Sequence, residues 1–257
     1  MLDEALVGAA IAFAVAVVTT PVGVSGAVFL VPVQVSVLSV PSPAVTPTNL
    51  LYNLVAIPGA LAQFHRAGRL RGSLVRLLVL GTLPGVVAGA VIRVELLSGP
   101  EAFYLVIAAV LAPLGAWLAL GGPARPGERP RLTDHQVVAL ALAVGTIGGI
   151  YGIGGGSILA PILAGVGFGI AEVAPATLAA TFLTSIAGVA TYALLSLTEP
   201  GDIAPEWGIG IAIGAGGLAG GLAGLRLAPR LPEPLLRRGL GILALALGAR
   251  YAVLGLA

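Results

Sequence analysis

The chain has 257 residues, 58% of them hydrophobic and 9% charged, with a mean hydropathy of +1.05; a soluble domain of this length cannot hide so much apolar surface, which predicts an all-α, multi-pass integral membrane protein. Cysteine is absent and histidine occurs twice, so disulfides, thiolate chemistry and cysteine metal sites are excluded, and a histidine-built metal site is disfavoured. The net charge of +2 rests on thirteen basic residues, all arginine, set in short loops without an aromatic-studded basic surface, which is no footprint for nucleic acid.

In chain order, apolar stretches long enough for spans or paired half-spans fall at about 2–20, 22–38, 44–64, 75–92, 102–121, 136–153, 155–171, 173–197, 207–225 and 239–256. The first carries Asp3 and Glu4 at its start instead of a basic region, so no cleavable signal is expected. The second, PVGVSGAVFLVP, is broken by Gly23 and Gly26 and closed by Pro32. A sharper version, GGIYGIGGGSILAP, spans 148–161: with Pro161 laid on Pro32, Gly152 falls on Gly23 and Gly155 on Gly26, a spacing of 129. Apolar segments interrupted by glycine in corresponding halves are the sequence pointer to a transporter's substrate site. Two weaker correspondences follow, Thr48-Asn49-Leu50 on Thr181-Phe182-Leu183 at 133, and Gly81, Gly85 and Gly89 on Gly216, Gly220 and Gly224 at 135. Those two glycine series read as packing faces.

Charge sets the topology. Arginines cluster at 66–76, in the linker at 125–131, and at 226–238, eleven of the thirteen in all, with Arg93 and Arg250 the remainder. Short arginine-rich loops stay cytoplasmic, so both chain ends and the acidic loops (Glu95 and Glu101; Glu199, Asp202 and Glu206) fall outside. The loop after the third stretch is basic and its counterpart TEPGDIAPEW is acidic, the mark of two inverted-topology repeats, residues 1–121 and 136–257, joined by a cytoplasmic linker at 122–135. Parity does not separate full spans from re-entrant half-helices at the breaks.

A helix broken in hydrocarbon leaves backbone groups that cost several kcal/mol each unless protein, water or ligand meets them. The helix that restarts aims its N–H groups and positive dipole end at that space. Restarts near Gly26 and Gly155, brought together at the midplane, would hold a small anion without a buried arginine. Charge at depth is otherwise scarce: Arg93, His65, Glu172 and Arg250 stand near span ends, where snorkelling suffices. The dinucleotide reading of GIYGIGGG fails for want of a strand and a βαβ unit. Uncharged polar residues complete the candidates: Thr48, Asn49 and Asn53 share a helical face, as do Thr181, Thr184 and Ser185, while Gln34 and Asn53 are equally served by interhelical hydrogen bonds.

The paired segments VGVSGAVFLVP and YGIGGGSILAP, each followed by a threonine-bearing helix (TPTNLLYN and ATFLTSIAG), resemble the TauE/SafE family of sulfite and organosulfonate exporters across nearly the whole chain. The first copy departs from the pattern, with Ser25 and Ala27 where the repeat has glycines. The resemblance implies a transporter of sulfur-containing anions and a site at Gly23, Ser25, Gly26, Gly152, Gly154, Gly155 and Gly156, lined by Thr48, Asn49, Thr181 and Ser185. The expected function is secondary transport of sulfite, sulfoacetate or another organosulfonate by alternating access, in the inner (plasma) membrane. The expected partners are the small anion and the lipid bilayer; no cofactor, metal or nucleic acid is called for, and homo-oligomerisation stays open. A passive channel or a non-transporting membrane subunit are the alternatives. No enzyme activity is expected, since no Ser/His/Asp, metal or paired-carboxylate constellation sits at membrane depth.

Overall fold

The computed structural model describes residues 2–22, 24–70, 72–120, 132–227, 230 and 232–257. Gly23, Arg71 and residues 121–131, with most of the predicted linker, lie outside the described residues. Among the described residues the chain forms eleven α-helices and no strand: α1 (Leu2–Val22), α2 (Ala27–Ser36), α3 (Ser42–Ala56), α4 (Pro58–Arg66), α5 (Ser73–Glu95), α6 (Pro100–Leu120), α7 (Asp134–Tyr151), α8 (Gly156–Gly165), α9 (Ile170–Leu195), α10 (Trp207–Leu227) and α11 (Glu233–Leu256). Six of them, α1, α5, α6, α9, α10 and α11, are long and apolar enough to cross a membrane, and the protein is a multi-pass membrane protein.

With α3 and α4 taken as one stretch, the order long, short, long, long, long occurs twice. In each half the short member, α2 or α8, has ten residues, about 15 Å of helix and half a hydrocarbon core. The segment after each glycine break is therefore a half-helix. The third stretch is two helices, because Pro58 brings no N–H and the path bends at Ile57 between α3 and α4; α9 covers the same length unbroken.

Small residues dictate how the halves interlock. A Cβ on Gly81, Gly85 or Gly89 of α5 would stand 2.4, 2.5 or 2.2 Å from the carbonyl oxygens of Val138, Leu142 and Thr146 on α7. On α10, a Cβ on Gly216, Gly220 or Gly224 would stand 2.1, 2.2 or 2.7 Å from those of Ala9, Phe13 and Val17 on α1. The carbonyls met in the second case lie 129 positions before those met in the first, so the two glycine series do the same job in the two halves. Such stripes bring backbones into direct contact where lipid offers no hydrophobic drive for helix association.

The same contacts give direction. α5 runs parallel to α7, and α10 parallel to α1 and to α3, as Gly210 meets Leu51 and Gly214 meets Val55. α9 runs with α5: its Val173 and Ala180 share a cluster with Leu74 and Leu78, and its Gly188 lies beside Val86. α3 opposes α5, with Ser42 at Arg93 and Leu50 level with Val86 through Gly188. α6 and α11 are antiparallel, Gly241 meeting Ala119 and Gly255 meeting Leu105. α1, α3 and α10 thus run one way and α5, α7 and α9 the other. The result is two faces of different charge: Arg66, Arg69, Arg76, Arg226, Arg237 and Arg238 at one, with Asp134 and Glu172 among them, and Asp3, Glu4, Glu95, Glu101, Glu199, Asp202 and Glu206 at the other, with Arg93.

Two sequence expectations are corrected. Arg93 does not snorkel. It is fully buried, its guanidinium lies 4.0 Å over the Phe103 ring, and it donates to the Leu97 carbonyl and to the Ser42 carbonyl and hydroxyl at 2.6 and 2.7 Å. It caps the Leu97 carbonyl just past the C-terminal end of α5 and ties that end to Ser42 at the start of α3. The register of the third helices also differs from the sequence pairing: counted from their first residues, α9 follows α3 at 128, not 133. Thr48 and Thr181 consequently stand in different surroundings.

Candidate substrate site

The second-half break turns on three left-handed glycines: Gly152 closes α7 at φ 90°, Gly154 follows at φ 64° and Gly155 opens α8 at φ 82°, backbone that L side chains rarely adopt. Every carbonyl bared there and reached by a side chain has a matched donor. Tyr192 donates to Gly149 O at 2.8 Å, Thr46 to Ile150 O at 2.9 Å, Asn49 to Gly152 O at 3.0 Å and Thr184 to Gly154 O at 3.0 Å. The break is thereby paid in hydrogen bonds by α3 and α9.

Asn49 ties this break to the other half. Its Nδ2 also donates to Ala27 O at 2.9 Å, and its Oδ1 accepts from Gln34 Nε2 at 3.0 Å. Tyr151 adds a bond to Val28 O at 2.8 Å. These contacts stitch α2, α3 and the end of α7 together on the acidic-face side of the half-helices.

On the arginine-face side a cavity of about 950 Å³ remains open. Gln63, Phe64, Trp117, Leu225 and Arg237 stand at its mouth, and Ser25, Gly26, Tyr52, Asn53, Gly156, Ser157 and Thr181 line it deeper down. The starts of α2 and α8 therefore meet one space. Both are already capped by hydroxyls: Ala27 N–H donates to Ser25 Oγ at 3.2 Å and Gly156 N–H to Thr181 Oγ1 at 3.1 Å. No acceptor among the described residues takes the protons of these two hydroxyls. An N–H that polarises an O–H strengthens that O–H as a donor, so each helix dipole is relayed through a hydroxyl. Deep in this wall, Asn53 Oδ1 and Nδ2 and Ser157 Oγ are buried without a partner.

The structure divides the residues predicted for the site. Ser25, Gly26, Gly156 and Thr181 line the cavity. Gly152, Gly154 and Gly155 shape the turn behind it and Asn49 braces that turn. Thr48 accepts from Glu206 N–H at 2.8 Å, tying α3 to the loop before α10; Ser185 is fully buried with an unpartnered hydroxyl and is not part of the cavity lining. Gly23 lies outside the described residues. Asn53, a candidate equally served by an interhelical hydrogen bond that it does not make, Ser157 and Arg237 are the residues that the sequence-based site did not include. The signals for the first two were present, Asn53 one turn beyond Asn49 and Ser157 directly after the last cluster glycine. Arg237, 5.0 Å over the Trp117 ring, carried none.

The Thr181 cap is testable by itself. Thr181→Val keeps the shape and removes the acceptor of a buried N–H, which lowers stability by about 1 kcal/mol. Thr181→Ser keeps the oxygen and stays near wild type. Thermal unfolding in detergent distinguishes the two, and equal melting of both variants would refute the role of the hydroxyl.

Residues 8–251 match the family described as Sulfite exporter TauE/SafE. No curated protein matches the chain.

Proposed function

The chain belongs to the TauE/SafE family of sulfite exporters, a membrane transporter family, and from this we propose that it is a secondary transporter of small sulfur-containing anions, sulfite or an organosulfonate, in the inner (plasma) membrane. The observation that carries the reading is the meeting of two half-helix starts, one from each half, at one cavity whose deep wall is hydroxyl and amide. Oriented backbone dipoles and polarised hydroxyls stabilise an anion without a fixed positive charge beside it. Weak, distributed stabilisation also permits release, which transport requires.

We read the two halves as an inverted repeat. With the arginine face cytoplasmic by the distribution of basic loops, the cavity opens inward, and the Asn49 stitch closes the outer side. Alternating access then exchanges the two sides around the half-helix starts. Arg237 at the mouth raises the local concentration of anions before they reach the capped termini.

The test is flux. Proteoliposomes containing the purified protein should exchange labelled sulfite or sulfoacetate, with counterflow driving uphill accumulation. Gly156→Leu, whose Cβ would stand 2.1 Å from Thr181 Oγ1, should reduce exchange at least about tenfold, equivalent to 1.4 kcal/mol on the transport barrier. Absence of flux for both anions rejects the substrate class; flux without counterflow indicates a passive pore.

A further inference from the structure

The cavity wall presents more than an anion by itself can satisfy. Four deep groups can donate into it: the hydroxyls of Ser25 and Thr181, whose protons are uncommitted, the Ser157 hydroxyl, and the Asn53 amide nitrogen. All suit an oxyanion. Asn53 Oδ1 does not. It accepts only, it is buried, and no donor among the described residues reaches it. Exchanging the amide oxygen and nitrogen changes nothing, because either placement leaves one acceptor without a proton to accept.

A donor-free anion would set its lone pairs among these groups and leave standing the cost that the Asn53 oxygen already bears, buried and unpaired, in the empty cavity. An anion that carries its own hydroxyl, amino or acid proton removes that cost. We propose that the cavity selects small oxyanions bearing a hydrogen-bond donor, with the oxyanion held by Ser25, Ser157 and Thr181 and the donor on Asn53 Oδ1. The proposal rests on the anion-site reading above and narrows it: Asn53 is the specificity-determining residue.

Two sulfonates of equal charge separate the cases, 2-hydroxyethanesulfonate and ethanesulfonate, titrated calorimetrically into the purified full-length protein. The hydroxylated anion should bind at least about tenfold more tightly, because a site with a buried polar partner rejects the analogue lacking the matching group. In Asn53→Leu the ratio should fall to near one, through weaker binding of the hydroxylated anion. Asn53→Asp, which keeps an acceptor at the same place, should preserve the preference in whatever affinity remains. Equal binding of both sulfonates to the unaltered protein overturns the donor requirement and leaves the anion site standing, and needs no variant to fold. An undiminished ratio in Asn53→Leu overturns the assignment to Asn53. Binding of neither sulfonate overturns both the requirement and the anion reading beneath it.

Discussion

Gly85→Leu and Gly220→Leu should each destabilise the protein by about 3 kcal/mol or more, whereas Gly208→Leu should be close to neutral. At the first two positions even a Cβ would stand 2.5 Å from Leu142 O and 2.2 Å from Phe13 O. Neither obstacle is a side chain that can swing away. Each is a carbonyl in a helix, so accommodation requires α5 to part from α7, or α10 from α1, along the whole stripe. Overpacking a close-packed interior costs about 1–3 kcal/mol even where side chains can adjust, and here the neighbour is backbone. Gly208, on the same helix as Gly220, meets nothing within 4 Å of its Cβ position, and leucine is the better helix former. For a chain of this size, roughly 2–4 °C of melting temperature accompanies each kcal/mol. Melting curves in detergent that show the three variants alike would rule out the stripes as the seams of the fold.

Asn49→Leu should cost about 3–5 kcal/mol and also loosen the acidic-face seal. The leucine matches asparagine in branching and heavy-atom count, yet it leaves Gly152 O and Gln34 Nε2 buried without partners and takes from Ala27 O the bond it accepts beside that of its own helix, at roughly 1–3 kcal/mol for each orphaned group and less than fully additive. Since those bonds join α2 to the α7–α8 turn, part of the loss should show as opening. The chain has no cysteine, so Ala160→Cys, at a half-buried position of the cavity lining, supplies a single thiol in the cavity. In that background an impermeant maleimide should label from the arginine face alone; adding Asn49→Leu should admit label from the acidic face as well. Labelling confined to the arginine face in both cases would show that Asn49 stabilises the turn without closing the path.

The large features were legible because each follows from one-dimensional pattern. Glycine and proline inside apolar runs marked both breaks, with α2 and α8 starting one residue after Gly26 and Gly155. Arginine placement announced the sorting of charge onto two faces. What stayed hidden depends on which face of a helix meets what. Thr48 and Thr181 look alike in sequence, but the first meets a loop amide and the second a helix start. Arg93 near a span end reads as a snorkelling residue until α6 is seen to place Phe103 over it. Asn53 differs from Asn49 by a single turn and has the opposite circumstances, one side chain fully bonded and the other bare.

The glycine seams also dictate an order of manufacture. α1 is sealed against α10 and α5 against α7, so α1 waits for some two hundred further residues before its partner exists, and residues up to 120 emerge with the α5 stripe and the α1 face that meets α10 both uncovered. Neither half can finish its interior from its own helices. The two halves made as separate chains should therefore remain incomplete singly and knit together only when co-expressed, each supplying the wall that the other lacks.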